Sequence, residues 1–209
     1  MALAVTCLGS MDAAEAFPNA MPEAAKFSDR PKKRGPEPKD IGLSVRSLNM
    51  EGDLSDGPVL KGCKSSPNCF STSGDPQFDV PSLITPWKPP ATQSKEATVA
   101  QLLKTIESYP PGQQGVDGGG FKVVKSKEGY IYTQFESLKN GYIDDVEFAV
   151  AEDGSEVQVR SSSRLGYLDF LVNAKRLNWF ADALRADGWA AGAITSKSHP
   201  DYFQQNAQY

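Results

Sequence analysis

The chain has 209 residues, a net charge of -4, 23% charged and 39% hydrophobic residues, which suits one folded domain with polar extensions. No apolar run approaches the roughly 18 residues of a membrane-spanning helix, and the acidic balance excludes a whole-chain nucleic-acid footprint. The single histidine, His199, lies near the C-terminus, reads as surface, and gives no second anchor for a histidine-based triad.

Residues 1–16 carry a short apolar run, Ala2-Leu3-Ala4-Val5-Thr6-Cys7-Leu8-Gly9, then the small-x-small site Ala14-Glu15-Ala16 and Phe17-Pro18. No basic segment precedes the run. The order resembles thylakoid-transfer signals of algal plastid proteins; processing would leave Phe17 as the mature N-terminus. An ordinary N-terminal helix is the competing reading.

Residues 17–62 form an arm rich in proline, glycine and charge. Between residues 26 and 46, seven basic residues (Lys26, Arg30, Lys32, Lys33, Arg34, Lys39, Arg46) stand against three acidic ones. Prolines at 31, 36 and 38 exclude a regular helix, so the segment is expected to be extended and exposed. It is either a solvated linker or an arm that orders on a partner through Arg30, Lys32, Lys33, Arg34 and Lys39. By contrast, residues 144–156 hold six acidic residues and no Lys or Arg.

Cys63-Lys64-Ser65-Ser66-Pro67-Asn68-Cys69 contains a turn-forming centre, so Cys63 and Cys69 could meet. Disulfide, free thiols and metal all fit the spacing, with the disulfide favoured and metal least so, because a zinc site wants about four ligands. No metal or cofactor is expected.

The folded domain is expected over residues 63–188. Its first helix spans 95–108, with Val99, Leu102, Leu103 and Ile106 on one stripe and Ser94 as cap. The glycine-rich run 116–120 lacks the ending of a phosphate loop and reads as a flexible connection. Two hairpins follow. One turns at Lys127-Glu128-Gly129 and sets Phe121 opposite Phe135. The other turns at Asp153-Gly154 and sets Val150 opposite Val157, Glu147 opposite Arg160 and Asp144 opposite Ser163. In that register Asp145, Glu147 and Arg160 point away from the core. A second helix, 169–186, starts at Asp169 and stops at Gly188. The expected class is α+β: a four-stranded antiparallel sheet of two hairpins, flanked in sequence by two helices on one face, behind a long irregular N-terminal arm. Residues 189–209 read as an irregular polar tail.

Catalysis finds little support. Asp144 and Asp145 are adjacent on a strand, face opposite ways and cannot act as an acid–base couple. No nucleophile or general base emerges. Asp144, Ser163, Arg164, Tyr167, Asp169, Asn173 and Arg176 are expected to form one polar network where the sheet meets the last helix. That network either locks helix to sheet or binds an anionic ligand or lipid through Arg164 and Arg176.

Several blocks then agree in order: Cys63-x-x-Ser66-Pro67-Asn68-Cys69, Ile84-Thr85-Pro86, Gly141-Tyr142-Ile143-Asp144-Asp145-Val146-Glu147-Phe148, Val159 to Asp169, and Asn173-Ala174-Lys175-Arg176. They resemble the signature of the domain of unknown function 1499 family. Phe170 and Leu171 depart from it, where the family often has a small residue and glycine. The resemblance implies membership but no activity. With the presequence, it implies a plastid protein of the thylakoid, with the lumenal side slightly favoured. The leading expectation is a non-enzymatic accessory or assembly subunit, peripheral to the membrane, that grips a photosystem or its antenna through arm and tail. No nucleic-acid partner is expected.

Overall fold

The computed structural model describes residues 16–39, 41–44, 57–64 and 66–206. The expected signal segment before Ala16 and residues Arg46 and Tyr209 lie outside the described residues. The sheet has five antiparallel strands in the order β1-β5-β4-β3-β2, where β1 is Cys69–Ser71, β2 Gly120–Lys127, β3 Tyr130–Glu136, β4 Ile143–Val150 and β5 Val157–Ser163. The expected four strands are therefore one short. The fifth, β1, has three residues and no legible alternation; its pairing with β5, with Cys69, Phe70 and Ser71 opposite Ser162, Ser161 and Arg160, makes it a strand.

Both hairpin registers follow the turn chemistry. Phe121 faces Phe135 and Val123 faces Thr133, before a bulge between Val123 and Lys125. Glu128 and Gly129 both have positive φ, which a tight two-residue hairpin turn requires. On the other hairpin Val150 pairs with Val157, Glu147 with Arg160 and Asp144 with Ser163. Alternation then sends Phe121, Phe135, Val146, Phe148, Val150, Val157 and Val159 to one face.

Helices α1 (Lys95–Glu107) and α2 (Val172–Ala186) cover that face. Ser94 caps α1 by accepting from the Ala97 amide, and Leu102 and Ile106 sink into the core. Leu177, Phe180, Ala181 and Leu184 of α2 complete it, with Trp87 wedged against Phe148. The tail is ordered, not irregular. A third helix, α3 (Pro200–Asn206), buries Tyr202 against Phe70 and buries Asn206, whose amide reaches the Pro67 carbonyl. His199 is buried too and meets the Leu83 carbonyl, so its surface assignment is corrected. Hydropathy missed α3 because seven mostly polar residues hold only two packed aromatics.

The second sheet face is clothed by the arm, which is extended after a short 3-10 helix at Pro22–Phe27, and is not free. Ile41 and Leu60 pack on Tyr130, Tyr132 and Ala149. Lys32 and Arg34 both bind Glu136, whose side chain is 0% exposed, and the Gly42 amide donates to Glu147. Phe17 is buried, with its amide on the Gly119 carbonyl. Thus Asp145, Glu147 and Arg160 do point away from the helices, yet all are buried beneath the arm.

Cys63 and Cys69 form a disulfide. It closes a short loop whose Asn68 carbonyl accepts from Ser163 and Asn173, tying the loop to the end of β5 and the start of α2. Reduction should lower stability by about 2 kcal/mol, the loop-entropy value for so small a ring. Thermal melts with and without dithiothreitol, and with Cys63→Ser, check this.

Candidate functional site: a carboxylate-floored cavity at the end of the sheet

Where β4 and β5 leave the sheet, a fully buried guanidinium organises the surroundings. Arg176, on the first turns of α2, has 0% side-chain exposure. Its Nε donates to Asp117, its Nη1 to Ser161 and Asn173, and its Nη2 to Asp117 and Asp144. All five N–H donors are used. Burial disfavours the charge, but Asp117 and Asp144 outweigh it and push the Arg176 pKa up. The guanidinium also lies 4.7 Å over the Phe135 ring.

Asp117 is the network member that sequence reasoning missed. It sits in the run 116–120, which is buried, not a flexible connection. Asp117 has φ 59, and the Tyr109 hydroxyl donates to it at 2.6 Å. Gly119 has no room for a side chain, because a Cβ there would strike Glu136. The glycines therefore bring the backbone close to β3 and set Asp117 beneath Arg176. The one available signal was the acidic residue inside the glycine run.

Asp169 caps the approach to α2 through the Leu171 and Asn173 amides and accepts from Tyr202. Burial pushes its carboxyl up against those hydrogen bonds. The helix begins three residues later than expected, at Val172, because Phe170 and Leu171 adopt left-handed φ of 56° and 67°. Such conformations cost about 1 kcal/mol or more each. Asn206 of α3 holds the turn by accepting from the Asp169 and Phe170 amides.

The expected seven-residue network divides. Asp144, Ser163, Asp169, Asn173 and Arg176 are joined, since Asn173 bridges Ser163, Asp169 and Arg176. Arg164 is not with them. It lies on the arm side of the sheet, where its guanidinium grips Asp145 and reaches the Tyr132 hydroxyl. Strand alternation is the reason: Asp144 and Asp145 face opposite ways, and each takes its own arginine. Tyr167 is 61% exposed and touches none of the network. Of the arm cations, Lys32 and Arg34 are engaged by Glu136, while Arg30, Lys33 and Lys39 are exposed.

Above the network opens a cavity of about 510 Å³, within the usual range for small-molecule sites. Asp117, Asp144 and Asp169 form its polar floor, and Val116, Leu138, Leu168 and Val172 supply apolar wall. Asp144 is 8% exposed and gives one carboxylate oxygen to Arg176. Its other oxygen, Oδ1, makes no hydrogen bond among the described residues, and Asp144 lines the cavity. Three carboxylates against one guanidinium leave the floor formally negative. No cluster of His, Cys, Asp and Glu suited to a metal occurs among the described residues.

A sequence profile described as "Protein of unknown function (DUF1499)" matches residues 59–184. The chain belongs to that family. The DUF1499 segment starts at the end of the arm and closes with α2, so it contains the disulfide, the sheet and Arg176 with both its carboxylates. It stops short of α3, which lends Tyr202 and Asn206 to the site. No curated protein and no solved structure matches the chain. No helix among the described residues is long and apolar enough to cross a membrane.

Four tyrosines, Tyr109, Tyr130, Tyr132 and Tyr202, each donate a hydroxyl to a carboxylate. Burial, reinforced by those carboxylates, raises all four phenol pKa values. A raised folded value means the native state keeps protons that the unfolded chain releases from about pH 10 upwards. Stability is therefore retained below about pH 10 and lost as pH climbs beyond it. Tyrosinate absorbance should rise in a late step coincident with loss of far-UV dichroism; a rise complete before unfolding would contradict this.

Proposed function

We propose that this protein is a binding module for a small amphipathic molecule, which seats its apolar part against the cavity walls and its polar head on Asp144. The observation that carries this is the unpartnered Asp144 Oδ1 at the floor of a largely apolar cavity. A lone acceptor in an apolar site selects a hydrogen-bond donor, because any other occupant leaves it desolvated. The head is a hydroxyl or an ammonium. An anionic head is disfavoured at the floor: Arg176 has no free donor, Arg164 lies on the far side of the sheet, the floor is already negative, and the one cation among the lining residues, Lys33, is exposed.

The test uses alkylamine, alkanol and alkanoate probes of equal chain length, titrated calorimetrically into the full chain. The amine and the alcohol should bind, and the alkanoate at least tenfold more weakly, about 1.4 kcal/mol. Asp144→Asn should reduce amine affinity by a similar factor or more. Equal binding of the alkanoate would exclude the assignment.

The compartment we propose is the plastid thylakoid, on the lumenal side, supported by the presequence pattern and by a disulfide that suits an oxidising space. Attachment to a photosynthetic complex is a second reading, supported by the exposed Arg30, Lys33 and Lys39 along the arm. Native separation of solubilised thylakoids tests it, and migration solely as a free monomer would count against it.

A further inference from the structure

The cavity has an unusual mouth. Eight large hydrophobic side chains are exposed among the described residues, and four of them gather here: Tyr142 at 39%, Leu165 at 41%, Phe170 at 56% and Tyr167 at 61%. Tyr142, Leu165 and Phe170 line the opening, and Tyr167 sits in the loop between lining residues Gly166 and Leu168. Scattered exposed apolar residues need no explanation, but a cluster around one opening does. Phe170 is held outwards by a strained left-handed turn that α3 braces through Asn206. Strain that keeps an aromatic ring in solvent favours a role outside the folded core. The flanking charge is positive: exposed Lys33 lines the opening, and exposed Lys139 follows the lining residue Leu138.

We propose that this mouth docks on an anionic lipid surface, with Tyr142, Leu165, Tyr167 and Phe170 entering the headgroup boundary and Lys33 and Lys139 meeting lipid phosphates. Aromatic side chains with one apolar and one polar end settle at that boundary, and a single basic residue adds modest attraction to anionic lipid. The inference rests on the binding reading above, because it supplies the phase from which an amphipathic ligand enters. An apolar chain then passes from the lipid layer into the cavity without crossing water.

The experiment is co-sedimentation of the full chain with vesicles of phosphatidylcholine, pure or mixed with phosphatidylglycerol. Wild type should partition onto the mixed vesicles and several-fold less onto pure phosphatidylcholine. Tyr167→Ser should weaken partitioning roughly tenfold while leaving alkylamine affinity in solution unchanged, since Tyr167 does not line the cavity. Phe170→Asn keeps a residue tolerant of left-handed φ and should weaken partitioning similarly. Asp144→Asn should do the reverse, losing alkylamine binding while keeping vesicle binding. Wild type remaining in the supernatant with mixed vesicles, or Tyr167→Ser partitioning as wild type does, would overturn the docking proposal. Wild type that partitions onto the mixed vesicles but binds no alkylamine in solution would overturn only the ligand reading.

Discussion

Replacing Arg176 with methionine should destabilise the fold by roughly 3–5 kcal/mol, the usual consequence of removing one partner from a buried ion pair. Methionine fills much of the volume, so a cavity contributes little. What remains is Asp117 and Asp144, both largely buried, without the guanidinium that binds them. Asn173 and Ser161 lose a partner too. The loss should depend on pH with a definite sign. Without Arg176, Asp117, whose carboxyl burial already pushes up, holds its proton more tightly in the native than in the unfolded state. Stability of the variant should therefore rise as pH falls towards the ordinary carboxylate range, narrowing its gap to wild type. Urea unfolding at two pH values measures this; a gap independent of pH would mean the network matters only through packing. Adding Asp117→Asn and Asp144→Asn to the same chain should recover part of the loss, because the three groups act as a unit.

Removing the charges that anchor the arm should have the second-largest effect. Glu136 is fully buried, and Lys32 and Arg34 are its two cations. Changing both to methionine should cost about 3 kcal/mol, the low end of the buried-pair range because Arg34 is a third exposed. For a chain of this size that corresponds to a melting temperature lower by roughly 6–12 °C. A chain truncated before Val59 loses more, since Ile41 leaves the Tyr130–Tyr132 cluster and the Gly42 amide leaves buried Glu147, on top of both Glu136 cations. Unchanged melting of Lys32→Met/Arg34→Met would show that the arm merely rests on the sheet.

Legibility followed the range of the determining interaction. The hairpins, α1 and the stop at Gly188 depend on neighbours in sequence, so turn residues and apolar period place them. The pairing of Glu147 with Arg160 and of Asp144 with Ser163 follows from the Asp153-Gly154 turn alone. Strand β1, α3 and the seat of Asp117 are set by distant contacts, and their local composition signals little. Residue Arg164 illustrates the limit well. Its place beside Asp144 in the register suggested a shared network, but the chain leaves β5 towards the other face and Asp145 claims it. A charged arm reads as solvated from composition; its acidic counterpart on the sheet was visible as an acidic run, yet nothing local joined Glu136 to Lys32.

That arm has a kinetic consequence. Lys32 and Arg34 meet Glu136 across 104 and 102 residues, and the Gly42 amide meets Glu147 across 105. A chain emerging N-terminus first presents the arm long before any strand exists to receive it. The strands must close first, leaving one sheet face bare until the arm returns. Contacts of such sequence separation form late and slowly. Folding therefore ends with a segment made before the strands that receive it, and an intermediate with a naked sheet is the species that a holdase would have to shield.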